Sequence, residues 1–300
     1  MFDSILIPTD GSEHATRAAE HGAALARAFG ASLHVLAVID TRTAGGPFSG
    51  GELEDETLDR MTADAEETIT AITDAVDVPE AIQTSIREGN PADEIHTYRD
   101  DHDVDLIAMG THGRTGVDRY VAGSVTENVV RQADVPVLTV RATDRSRDAA
   151  PYDDILVPTD GSAPAAAAVE PACEIAAQFD ARVHALNVVN LGDIATGSEY
   201  TLPKDLIDTL ESQGEKETER IATRARESGV ETVTQVVSGF PAPEILDYAV
   251  ENDIDLIAMG TTGRTGLNRF LMGSTTERLI RHAEMPVLAV NARDQPVDES

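Results

Sequence analysis

The chain holds one cysteine, Cys173, and two lysines, Lys204 and Lys216, in 300 residues. A single thiol forms no intrachain disulfide, which suits a reducing compartment. Cys173 matches Ala23 in position, 150 residues later, on the apolar face of an expected helix. It reads as a packing thiol rather than a nucleophile. No apolar run approaches the ~20 residues a membrane span needs. No basic stretch precedes the first apolar segment, so a soluble, cytoplasmic, unexported protein is expected. Other absences narrow the chemistry. There is no G-x-x-x-x-G-K-[ST] loop and no G-x-G-x-x-G fingerprint after the first strand. The histidines lack metal-ligand spacing. No Ser-His-Asp or paired-carboxylate arrangement occurs in both halves, so nothing marks a dedicated hydrolytic machine.

Cationic charge is scarce as well. The other 21 basic residues are arginines, and the net charge is −31. With no basic stripe, nucleic acid is excluded as a partner. At about 1 M salt the Debye length is only ~3 Å, which screens self-repulsion of this size. The near-absence of lysine beside so much acid gives the chain a halophile-like composition.

What is present is a signature written twice. VDLIAMGTHGRTG (104–116) continues to Gly123-Ser124, and IDLIAMGTTGRTG (254–266) continues to Gly273-Ser274. Other segments align at the same offset of 150, such as SILIP with DILVP and PVLTV with PVLAV. This is duplication of a domain, with boundaries near 1–142 and 151–293. Each copy reads β-α-β-α-β-α-β-α-β. Ala15, Ala19, Gly22, Ala23, Ala26 and Phe29 fall on one face of the first helix. Ala165, Val169, Ala172, Cys173, Ala176 and Phe179 match them. Longer helices are expected at roughly 52–76 and 203–228, and third strands at 81–86 and 231–237. The fold class is α/β: two tandem doubly wound domains with parallel sheets and helices on both faces. The polar segment 141–150 reads as a surface linker.

Open parallel sheets bind ligands at the carboxyl ends of their strands. Two loops of each copy fall there: Pro-Thr-Asp-Gly-Ser (8–12; 158–162) and the glycine loop. Gly110, Gly113 and Gly123 permit positive φ and close approach of backbone amides. The Gly-Ser pair opens a helix whose free amides favour an anion. Ser124 and Ser274 read either as hydroxyl donors to that anion or as N-caps of a capping box, Ser-Val-Thr-Glu and Ser-Thr-Thr-Glu. Asp10 and Asp160 read either as turn and N-cap residues or as contacts to ribose or Mg²⁺ near phosphates. Arg114 and Arg264 read as phosphate partners or as solvated surface. His112 faces Thr262 in the second copy, so it carries no shared role.

At these residues the chain resembles a tandem universal stress protein of the UspA family. The resemblance rests on PTDGS, the G-2x-G-9x-G-[ST] signature and the final PVL strand, and it covers both copies. It implies a five-stranded sheet in the order 3-2-1-4-5 in each copy, and ATP as the ligand. Pro8, Thr9 and Asp10 would flank ribose and phosphates, and the Val38 backbone would meet adenine. Met109, Gly110, Gly113, Gly123, Ser124 and Val125 would cradle ribose and phosphates. The second set is Pro158, Thr159, Asp160, Val188, Met259, Gly260, Gly263, Gly273, Ser274 and Thr275. The family dimerises through its last strands, which implies an intramolecular pseudo-dimer and allows a homodimer. The implied role is a nucleotide-dependent sensor or regulator in stress response, acting on a protein partner. A slow ATPase and a ligand-independent scaffold are the alternatives.

Overall fold

A computed structural model describes residues 2–41, 55–76, 78, 82–113, 123–147, 149–190, 204–263 and 272–292. The chain forms two compact units. One is Met1–Pro151 with Ile280–Pro286, the other Tyr152–Leu279 with Val287–Ser300.

In the first unit the elements run β1 (Ser4–Thr9), α1 (Glu13–Phe29), β2 (Ser32–Ile39), α2 (Asp55–Ala75), β3 (Ile82–Glu88), α3 (Pro91–Asp101), β4 (Leu106–Gly110), α4 (Ser124–Gln132) and β5 (Val137–Val140). Its strands lie in the order β3-β2-β1-β4-β5, paired in parallel. β1 is buried along its whole length, as its lack of polar alternation requires. β3, at the end of the order, has no buried residue; each of its positions is half-buried or exposed. The small residues of α1 let it press on the sheet: a Cβ on Gly22 would stand 3.0 Å from Ala108 Cβ and 3.3 Å from Ile7.

The second unit repeats this with β6 (Asp154–Thr159), α5 (Ala163–Ala166), α6 (Val169–Phe179), β7 (Arg182–Asn190), α7 (Lys204–Glu227), β8 (Thr232–Gly239), α8 (Pro241–Glu251), β9 (Leu256–Gly260), α9 (Ser274–His282) and β10 (Val287–Val290). Its order is β8-β7-β6-β9-β10, again parallel. Each unit therefore has the 3-2-1-4-5 order. The third strands reach Glu88 and Gly239, beyond the expected ends at 86 and 237.

The counterpart of α1 is split in two, against the single helix expected. Ala167 N and Ala168 N bond three residues back, to Pro164 O at 3.3 Å and Ala165 O at 3.4 Å. Pro171 supplies the reason. It has no N–H for the Ala167 carbonyl and its ring crowds that carbonyl, so the turn tightens.

The segment after β5 is not the free surface linker its polarity suggested. Ser146 is fully buried. Its hydroxyl donates to Arg141 O, and its own carbonyl accepts from His21 Nε2 at 3.0 Å. Arg17 Nη1 donates to Arg147 O at 2.7 Å, and Ala142 N to His14 Nδ1 at 3.0 Å. His14, Arg17 and His21 form one stripe of α1 at helical spacing. The second copy has Pro164, Ala167 and Pro171 there, so the stripe belongs to the first unit alone.

Two histidines serve the amino ends of the strands. His34 Nδ1 lies 3.0 Å from Tyr98 Oη, and His184 Nδ1 lies 2.9 Å from Tyr248 Oη. His184 Nε2 also meets Asp154 Oδ1 at 2.8 Å. Burial alone would raise the Asp154 carboxyl, but hydrogen bonds from Arg182 and His184 hold it below its usual range.

Candidate functional site

The PTDGS turn leaves β1 at its carboxyl end and is closed by its own side chains. Thr9 Oγ1 accepts from Gly11 N at 3.1 Å, and Asp10 Oδ1 from Ser12 N at 3.0 Å. Ser12 is the N-cap of α1, accepting from Ala15 N at 3.2 Å. The second unit repeats the three bonds through Thr159, Asp160 and Ser162 at 3.0, 2.9 and 3.3 Å. The cap is thus the serine, and the aspartate is a turn residue with its second oxygen directed elsewhere. That oxygen faces the glycine loop. A Cβ on Gly113 would stand 2.6 Å from Asp10 Oδ2, and one on Gly263 would stand 2.8 Å from Asp160 Oδ2.

The loop glycines do not take the positive φ expected of them; Gly110 and Gly113, with Gly260 and Gly263, instead leave room that a side chain would fill. Gly11 and Gly161, in the PTDGS turns, take φ of 73° and 78°. Gly110, Gly113 and Gly123 and their counterparts do not. A Cβ on Gly110 would meet the α1 backbone at 2.7 Å, and one on Gly260 would meet Pro164 O at 2.3 Å. These two glycines let the first helix reach the end of the fourth strand.

The loop is drawn together at its base. Gly123 N donates to Thr111 O at 2.7 Å, and Gly273 N to Thr261 O at 2.8 Å. Thr126 Oγ1 donates to Gly110 O at 2.8 Å, and Thr276 Oγ1 to Gly260 O at 2.9 Å. Gly123, not Ser124, is the N-cap of α4, and no side chain caps it. Ser124 stands one residue inside the helix and is exposed, so the capping-box reading fails there. A glycine N-cap leaves the first-turn amides to an outside acceptor.

Of the other expected residues, Pro8, Pro158, Met109 and Met259 are buried at strand ends, and Thr159 is half-buried. Val38 and Val188 are half-buried near the ends of β2 and β7, and Val125 and Thr275 are half-buried in the first helical turn. Arg114 and Arg264 lie outside the described residues. Sequence reasoning placed Ser12 and Ser162 within an Asp-Gly-Ser turn and N-cap, but gave Thr126 and Thr276 no role of their own, although they recur at the shared offset. It also passed over Asn187, whose amide donates to Thr159 O at 2.8 Å where the first copy has Ala37.

The units differ beside the loop. In the first, the rings of His14 and His112 lie 5.0 Å apart. Burial, with Arg141 nearby, lowers the His14 pKa. The second has Pro164 and Thr262 at these positions. Among the described residues no group of three or more His, Cys, Asp or Glu side chains gathers to hold a metal. One carboxylate with ligand phosphates is a donor set that suits Mg²⁺.

Comparison with known proteins bears on this arrangement. The family model described as the universal stress protein family matches residues 1–141 and again 151–291. The chain belongs to the universal stress protein family. Two universal stress proteins of Methanocaldococcus jannaschii are similar to single-repeat lengths of it. MJ0531 is 41 % identical over 143 residues, covering 46 % of this chain and 82 % of its own. MJ0577 is 34 % identical over 155 residues, covering 47 % and 96 %. A universal stress protein from Archaeoglobus fulgidus shares the tandem fold, with a TM-score of 0.70 and 24 % identity over 97 % of this chain and 98 % of that one. Among the described residues of this universal stress protein, no helix is long and apolar enough to cross a membrane.

Proposed function

We propose that each unit binds ATP at the carboxyl end of its sheet, and that the bound nucleotide regulates a protein partner in stress response. The observation that carries the reading is the meeting of two turns. Asp10 meets Gly113 and Asp160 meets Gly263, and in the first unit the helix that follows, α4, has no side-chain cap on its first-turn amides. Phosphates would take those amides, and the helix dipole favours their charge. Ser124 and Ser274 would add hydroxyl donors. Asp10 and Asp160 would then face ribose or a Mg²⁺ carried in with the phosphates, and Val38 and Val188 would border the base. Arg114 and Arg264 complete the proposed set as phosphate partners. A cytoplasmic location and a homodimer belong to the same proposal.

The test begins with protein purified in molar KCl and then denatured, with released nucleotide identified by mass spectrometry. Recovery of about two adenine nucleotides per chain supports two sites. Titration calorimetry with Mg-ATP then compares the parent with Gly113→Val, Gly263→Val and the double variant. Each single variant should remove one site and the double variant both. Unchanged binding in the double variant would overturn the assignment.

A further inference from the structure

Among the described residues Phe240 is the most exposed large apolar side chain, at 62 %. A lone exposed apolar residue carries little meaning by itself, but this one occupies an unusual position. Phe240 is the N-cap of α8 and gives the helix no side-chain hydrogen bond. Its counterpart in the first unit, Asn90, caps α3 by accepting from Ala92 N at 3.3 Å, and its amide donates to Asp93 Oδ2 at 2.6 Å. The second copy therefore lacks this side-chain cap and holds an aromatic ring in water. Neither helps the folded chain.

The register locates that ring. Val188 pairs with Val237 and Asn190 with Gly239, and Phe240 follows at once. It thus stands at the carboxyl edge of the sheet, just past the end of β7. Following the order β9-β6-β7-β8 along that edge, one meets the glycine loop, the PTDGS turn, Val188 and then Phe240. The proposed ligand would run the same way, from phosphates through ribose to base. We propose that Phe240 is the stacking platform for the nucleobase of the second site, a role with no counterpart in the first, where Asn90 stands. This inference rests on the nucleotide reading above. A ring binds any base by its π-face, so the second site tolerates base exchange better than the first.

The test uses the full chain carrying Gly113→Val, which leaves only the second site open. Phe240→Asn, which installs the first unit's cap, and Phe240→Trp are compared with that parent. Mg-ATP and inorganic tripolyphosphate are titrated by calorimetry. The expected result is about a tenfold loss of ATP affinity in Phe240→Asn, unchanged tripolyphosphate affinity, a melting temperature no lower than the parent's, and recovery in Phe240→Trp. A parent that binds ATP while Phe240→Asn binds it equally well overturns the platform alone. Equal loss of ATP and tripolyphosphate also overturns it, since the whole site has then collapsed. A parent that binds no ATP, in a chain whose Gly263→Val partner also binds none, overturns the nucleotide reading and this inference together.

Discussion

Asp10 Oδ2 and Gly113 lie so close that a Cβ on the glycine would stand 2.6 Å from the oxygen. What must yield on substitution is a carboxylate, not backbone. Gly113→Ala should therefore cost the fold little, below about 1 kcal/mol, while turning Asp10 away from the site. Mg-ATP affinity of the first site should fall about tenfold. Urea unfolding and calorimetry on the same variant separate the two effects.

Gly260 and Gly123 make an opposed pair. A Cβ on Gly260 would stand 2.3 Å from Pro164 O, where only backbone can move. One on Gly123 would lie 3.4 Å from Thr111 O, an ordinary contact, at a φ of −59° that any residue adopts. Gly260→Ala should destabilise by about 2–3 kcal/mol, and Gly123→Ala, which has room for the methyl but weakens an N-cap, by about 1 kcal/mol or less. Chemical denaturation decides between them.

His21 sets an acid limit on stability. Burial is the main cause of its pKa falling to about 4, against the carbonyl of Ser146, which favours the charged form. The unfolded chain binds the proton near pH 6.5 and the folded chain only near 4. Stability from this group is therefore full above pH 6.5, declines as pH falls toward 4, and levels off below. The loss is of order 3 kcal/mol. His21→Gln keeps a donor for Ser146 O without titrating. Its stability profile between pH 6.5 and 4 should be flatter than the parent's.

The charge of −31 predicts a strong salt response. Raising KCl from about 0.1 to 2 M should raise the melting temperature by about 10 °C or more, through screening of self-repulsion. Circular dichroism melts across a KCl series check this. A flat series would remove the halophilic reading.

Much of the sheet was legible because its strands are buried on both faces and carry no polar alternation. Ile5, Leu6 and Ile7, or Leu106 to Ala108, admit no other assignment once helices alternate with them. The two turns of the site were legible because they recur at one offset. What escaped was the information in the differences between copies. Pro171 against His21 breaks one helix and pins a segment in the other. Both residues are plain in the chain, but a difference between copies does not by itself show which carbonyl a side chain meets or which turn a ring tightens. The purpose of Gly110 was also hidden. A sequence shows that a glycine is present, not whether it is needed for φ or for room, and only the nearby backbone of His14 decides that.

The bond from Gly123 N to Thr111 O has an evolutionary consequence. It fixes the two ends of the intervening stretch against each other, as Gly273 N and Thr261 O do in the other unit. That spacing is held by backbone atoms, so it does not depend on which side chains stand at 111 and 123. Copies born identical can thus drift toward different ligand preferences while sharing one scaffold, and His112 opposite Thr262 marks how far that drift has gone at the loop's first step.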